Sequence, residues 1–283
     1  MKITLSKTLL LLCLLDFSAV PLRAGTMLAQ EHKPFSEAEA DNSFKHWTIV
    51  PMYSYSFFNK GRQAWQEEDV QLFYSINRQL TIGGEIDIME RPPSGTNIYY
   101  SGLASYYPWK WLEVHGRISI CPNPTFAAKQ IYGGGFQYQV MPRIGLLFDY
   151  LQSNYTQGPI EQLTPGLALN FTDTTYLVLR YTRGWAYNTL EYNYYSAVLN
   201  IGMPYKGRLS LAFSYGTDPD AEAGANSVVT SLSPAYTYAL FYMQPVWKDL
   251  KLIAGIQYVY RLNQSGGELY QQLTPTAGLS WRF

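Results

Sequence analysis

Glu113, His115 and Arg117 occupy alternate positions in the stretch LEVHGRISI. They bring an acid, a titratable base and a fixed cation to one face of an extended segment, with neighbours about 7 Å apart at a rise near 3.3 Å per residue. Ser119 shares that face. Positions four apart on a strand are separated by about 13 Å, far from the roughly 3 Å that a nucleophile and its base require. A hydrolytic pair with His115 would therefore need a serine from another strand, and polar lining is the simpler reading. The other histidines, His32 and His46, lie in or beside a polar N-terminal stretch. No His and Cys cluster has metal-ligand spacing. Asp218, Asp220 and Glu222 could offer carboxylates to calcium, but a solvated loop explains them more simply. Neither a phosphate-cradling Gly loop nor a dinucleotide fingerprint is present, so no metal and no cofactor is expected.

The elements that hold such residues have a period of two. In the last stretch, Leu269, Leu273, Ala277, Leu279, Trp281 and Phe283 fall on one side and Tyr270, Gln272, Thr274, Thr276, Ser280 and Arg282 on the other. That is a strand with an apolar and a polar face. The pattern recurs at Leu250–Tyr260, Leu80–Ile88, Leu112–Ile120, Asp69–Asn77 and Arg208–Tyr215, near the length of about 9 to 11 residues that a tilted strand needs to cross hydrocarbon. A closing strand that ends on an aromatic resembles that of bacterial outer-membrane barrels, with Leu279, Trp281 and Phe283 as the expected signal for the barrel-assembly machinery.

Composition points the same way. Aromatics make up 16% of the chain, with 25 Tyr, against 15% charged residues, where a soluble domain carries roughly a quarter. Tyr and Trp suit membrane interfaces, and three groups are expected at headgroup level: Tyr106, Tyr107, Trp109 and Trp111; Tyr242 and Trp247; Tyr192, Tyr194 and Tyr195. Net charge is zero, from 21 basic and 21 acidic residues, which leaves nucleic acid without an electrostatic footprint. No apolar run reaches the 18 or so residues of a membrane helix, but a closed sheet can span lipid because it leaves no edge.

Lys2 and Lys7 before the apolar run Leu9–Leu15 read as a secretory signal peptide over residues 1–24, with Ala24 or Ala29 at the cleavage site. Residues 25–45 read as a flexible periplasmic lead-in through which a periplasmic partner could bind, and residues 46–283 as the barrel. Cys121 is then the lone cysteine of the mature chain, and no intramolecular disulfide is expected.

Short turns at 77–79, 108–110, 141–143, 172–174, 204–207 and 245–249 alternate with other connections, several longer, at 59–64, 91–96, 122–128, 154–159, 185–188, 217–227 and 263–267. Short periplasmic turns and longer external loops give this rhythm. The expected fold is an all-β, closed, antiparallel up-and-down transmembrane barrel of about 14 strands, both ends periplasmic. Twelve strands is the alternative, because 189–203 and 227–243 alternate poorly.

The expected lumen-lining residues are Glu85, Asp87, Glu113, His115, Arg117, Asp149, Arg180, Lys251, Arg261 and Arg282. Mixed signs favour a self-satisfied network over a selective pore. The stretches HGRISICPNPTF (115–126), YGGGFQYQV (132–140), FDYLQSNY (148–155), LRYTRG (179–184) and SYGTDPDA (214–221) resemble, in order and spacing, the YaiO-type outer-membrane barrel family. The resemblance covers roughly Leu80–Phe283. It implies an outer-membrane barrel whose molecular activity is poorly defined, and in some relatives a helical-repeat segment precedes the barrel. The run Gly133–Gly135 permits sharp bending or close approach of a neighbour. The sequence thus points to an integral barrel of the bacterial outer membrane, in contact with its lipid. Such a barrel would serve as a passage for a small solute or exported polymer, or as a surface-exposed structural protein. An enzyme acting on envelope lipid is the runner-up, although no motif resembles the known barrel lipases.

Overall fold

The computed structural model describes residues 47–187, 190–219, 232–263 and 265–283. The expected signal peptide and lead-in, with His32 and His46, lie outside them, as do Asp220 and Glu222 of the acidic loop. Alternating side chains drive fourteen strands: β1 (Trp47–Phe58), β2 (Trp65–Ser75), β3 (Leu80–Arg91), β4 (Gly95–Trp109), β5 (Leu112–Ile120), β6 (Gln130–Met141), β7 (Ile144–Tyr155), β8 (Gly158–Asn170), β9 (Tyr176–Ala186), β10 (Leu190–Gly202), β11 (Arg208–Pro219), β12 (Leu232–Trp247), β13 (Leu250–Leu262) and β14 (Glu268–Arg282). Each pairs antiparallel with its sequence neighbours in one closed barrel.

Closure is made by β1 and β14. Thr48 stands opposite Arg282, Tyr53 opposite Ala277 and Phe58 opposite Gln272. Beyond the last rung, Trp47 and Phe283 exchange backbone hydrogen bonds of 3.1 and 2.9 Å. With no edge left open, every rung of the sheet satisfies its backbone groups internally, the condition for a sheet to sit in hydrocarbon.

The outer face is apolar through its middle. Val70, Leu72, Ile86, Ile118, Phe136, Leu146, Leu211, Leu240, Ile256 and Leu273 are all exposed. Outward-facing acids, Glu68, Glu90, Glu161 and Glu191, sit toward the end away from the chain termini. Aromatic rings gather at both rims: Trp109 stacks on Trp111 at 4.9 Å beside one rim, and Tyr215 contacts Tyr236 at 4.6 Å toward the other. A closed barrel with an apolar belt between aromatic girdles is a protein of the bacterial outer membrane.

Two expectations change in detail. Tyr192 and Tyr194 are not interfacial: they point inward, 1% and 8% exposed, and only Tyr195 of that group, at 58%, faces outward; Tyr107 of the first group also points inward, its hydroxyl on Glu113. The connections at the non-terminal end are not uniformly long either, because β3–β4 and β7–β8 close through 92–94 and 156–157 alone.

Candidate functional site

The inward face of β3 to β9 holds two neighbouring sets of paired charges. In register, His115 on β5 faces Gly135 on β6, which faces Asp149 on β7. Glycine at the middle position lets its two neighbours meet above it, and His115 Nε2 lies 2.8 Å from Asp149 Oδ1. A Cβ at position 135 would fall 2.8 Å from His115 Nε2 and would collide with Asp149. Asp149 Oδ2 accepts a 2.7 Å hydrogen bond from Arg180 Nη1 of β9, again across a glycine, since a Cβ at Gly166 of β8 would lie 3.0 Å from Arg180 Cγ. Asp149 thereby bridges three strands and balances the buried guanidinium. A carboxylate that accepts charged hydrogen bonds from two sides offsets the cost of desolvation that an isolated charge would meet.

Next to this triad, Arg117 Nη2 pairs with Glu85 Oε2 at 3.0 Å. Its Nε donates to Ser119 Oγ at 2.9 Å, and Ser119 bonds Ser101 at 2.8 Å. Toward the terminal end, Ser105 Oγ donates to Glu113 Oε1 at 2.7 Å, and Glu113 also hydrogen bonds the Tyr107 hydroxyl. Ser105 is the register partner of His115, but its hydroxyl serves Glu113. The hydroxyl that hydrolysis would require on His115 is thus engaged elsewhere.

Of the ten residues expected to line the lumen, Glu85, Arg117, His115, Asp149 and Arg180 come together in these two sets, and Glu113 joins Ser105 and Tyr107 beside them. Asp87 is fully buried on the same wall. Lys251, Arg261 and Arg282 stand elsewhere, on β13 and β14; Arg261 lies over the Tyr270 ring at 5.7 Å, and Arg282 is exposed at the terminal rim. Ser101, Ser105 and Tyr107 join through alternation alone, which marks them as inward facing but not as partners. Gly133–Gly135 signalled close approach, and the approach is of side chains across the strand.

The opposite wall is less charged and mixes apolar side chains with buried polar ones such as Ser196, Asn200, Ser210 and Ser233. From β9 through β13 to β1, the inward side chains include Val178, Val198, Ala212, Ala239, Phe241, Met243, Ile253, Val50 and Met52, all buried. Between Arg208 at the rim and the far mouth, the described inward residues of β10 to β12 are uncharged. Aromatic side chains fill glycine gaps there: a Cβ at Gly255 would strike the Phe241 ring, and one at Gly184 the Tyr192 ring.

Above both walls the β5–β6 connection, residues 121–129, folds inward. Phe126 and Ala128 are buried with Cys121, Met89, Tyr99 and Ile131. Tyr99 donates to the Ala128 carbonyl at 2.6 Å, and Asn97 Oδ1 accepts from the Thr125 amide at 2.7 Å. The Arg91 guanidinium lies between Trp65 at 4.4 Å and Phe126 at 4.8 Å, a cation–π contact on each face. Sequence marked this segment as a loop but offered no sign of its direction beyond the apolar Phe126–Ala128.

No family model and no curated protein matches the chain. Among solved structures it resembles the CymD monoaromatic hydrocarbon channel, with 9% identity over 84% of this chain and 89% of that one and a TM-score of 0.59. A Pseudomonas aeruginosa FadL homologue gives 9% identity, 84% and 90% coverage and 0.57, and Acinetobacter baumannii Omp33 gives 10%, 84% and 99%, and 0.50. At such identity the likeness is one of fold, that of outer-membrane barrels.

Proposed function

We propose that the barrel is a narrow, gated passage for a small, partly apolar solute across the outer membrane. The observation that carries this reading is the division of the interior into a wall of paired charges and a wall over β10 to β12 that bears no described charge inside Arg208, where apolar side chains such as Val198, Ala239, Phe241 and Met243 alternate with small or neutral polar ones. An apolar surface excludes ions and wets poorly, whereas a solute with an apolar body can slide along it. The segment 121–129, held at the far mouth by Tyr99, Asn97 and Arg91, is the gate. The hydrocarbon channel among the structural neighbours supports the apolar character of the solute. The YaiO-type resemblance supports fold and location and names no cargo, although four of its five stretches fall on β5, β6, β7 and β9, strands of the charged wall.

The test is reconstitution in lipid vesicles. Uptake of a small aromatic alcohol should exceed that of a sugar of similar size, while planar bilayers show little steady ion current. Proteoliposomes that admit neither solute faster than protein-free vesicles would eliminate the passage and leave a structural role at the cell surface.

A further inference from the structure

The two rims of the barrel differ in charge. At the end where β1 begins and β14 finishes, the turns carry Arg78, Lys110, Arg143, Lys206 and Lys248, all exposed, and Arg282 joins them from the last strand. Against these the same turns hold Asp173 and Asp249. The other rim is mixed: Glu68, Glu90, Glu161 and Glu191 face outward near it, the last paired with Arg183 at 2.9 Å, and its connections carry Lys60, Arg62 and Lys129.

Each basic residue of the terminal rim also stands beside an exposed apolar or aromatic side chain. Lys110 lies between Trp109 and Trp111, Arg282 between Trp281 and Phe283, Lys206 follows Tyr205 (89% exposed), Lys248 follows Trp247 (72%), and Arg143 and Arg78 follow Met141 and Ile76 two residues on. An aromatic body that seats in the upper acyl region and a cation beside it at headgroup depth together match a lipid whose headgroup is anionic. We propose that this rim binds anionic glycerophospholipid headgroups, their phosphate oxygens accepting from the Lys and Arg side chains, and that the opposite rim, where carboxylates stand among the cations and pair with Lys60 and Arg183, does not. The short turns make this the periplasmic end, so the barrel would enrich anionic lipid in the inner leaflet around itself. This inference is independent of what, if anything, crosses the lumen.

The test uses the mature full-length chain reconstituted in vesicles of phosphatidylcholine with a minor fraction of phosphatidylglycerol, followed by native mass spectrometry of retained lipid. Phosphatidylglycerol should be enriched over its bulk fraction at low salt and less so as salt shortens the Debye length to about 8 Å at 0.15 M. Lys110→Gln, Arg143→Gln, Lys206→Gln and Lys248→Gln should each weaken retention, by about fivefold per site, and their combination should abolish the preference. Heat-modifiable migration on gels confirms that each variant is folded, and the single variants suffice if the combination is not. Glu68→Gln with Glu161→Gln should leave retention unchanged. Equal retention of the two lipids, or a preference untouched by the rim substitutions, overturns the proposal. Enrichment seen only after deletion of residues 25–45 overturns it too, because that acidic stretch, with Glu37, Glu39 and Asp41, would then be the rim's occupant.

Discussion

The interior of the barrel has two walls that solve one problem differently. Along β3 to β9 the inward positions are charged, and their burial is made tolerable by pairing: Asp149 with His115 and Arg180, Glu85 with Arg117. Along β10 to β12 the described inward positions inside Arg208 are uncharged; the apolar ones gain from burial by itself, and neutral polar ones such as Asn200 and Ser210 bond each other at 2.6 Å. The charged wall depends on partners brought across strands through Gly135 and Gly166; the uncharged wall depends on shape, with Phe241 and Tyr192 laid over Gly255 and Gly184. A sheet closed around such a lumen has one wall that is specific and brittle and one that is tolerant.

The sharpest way to break this contrast is Asp149→Asn. It removes the carboxylate charge that Arg180 meets at 2.7 Å, and breaking a buried pair from one side costs about 3 to 5 kcal/mol. Urea-driven unfolding of the barrel in lipid should show a loss of that size; a loss under 1 kcal/mol would mean that the charged wall is not held by its pairs. On the other wall, Phe241→Ala removes a buried ring and opens a void above Gly255, for about 3 kcal/mol, and the same measurement should show no change in the salt dependence of unfolding, unlike Asp149→Asn. Gly135→Ala follows, at about 1 to 3 kcal/mol, because the new methyl displaces His115 from Asp149. An Ala at 135 as stable as Gly would show that the gap is incidental. The smallest effect concerns the 121–129 segment packed at the far mouth. Burial pushes the Cys121 thiol up, so less thiolate is present at neutral pH and maleimide labelling should be slow. Phe126→Ala, which releases the contact with Arg91, should speed it several-fold with little change in stability.

The same contrast explains what could be read in advance. On the charged wall, alternation is strict, so β3 and β5 stand out as strands from their residues alone, and Glu85, Glu113, His115 and Arg117 are assigned inward. On the opposite wall β10 and β12 carry apolar residues on both faces, whereas β11 and β13 alternate. Tyr192, Tyr194 and Val198 on β10, and Ala235, Ala239 and Phe241 on β12, erase the period of two, which is why 189–203 and 227–243 alternate poorly and why twelve strands competed with fourteen. Tyr192 and Tyr194 belong to the same difficulty: a tyrosine suits a headgroup girdle and a lumen equally well, and only Tyr192 has a glycine opposite, Gly184, that marks its direction, while Tyr194 faces Thr182.

Local pattern alone determined that this chain forms strands of membrane-crossing length with an apolar outer side, since side-chain direction on a strand follows from backbone geometry one residue at a time. It also determined that the last strand meets the first, because a lone edge cannot rest in lipid. Which charges pair was decided only by the tertiary structure. His115, Asp149 and Arg180 lie on β5, β7 and β9, so their contact depends on the stagger of strands around the barrel and on glycines in β6 and β8, quantities set by closure of the whole sheet. The inward fold of 121–129 is likewise a property of the assembled mouth, where Asn97, Tyr99 and Arg91 become available as partners only once β3, β4 and β5 stand side by side.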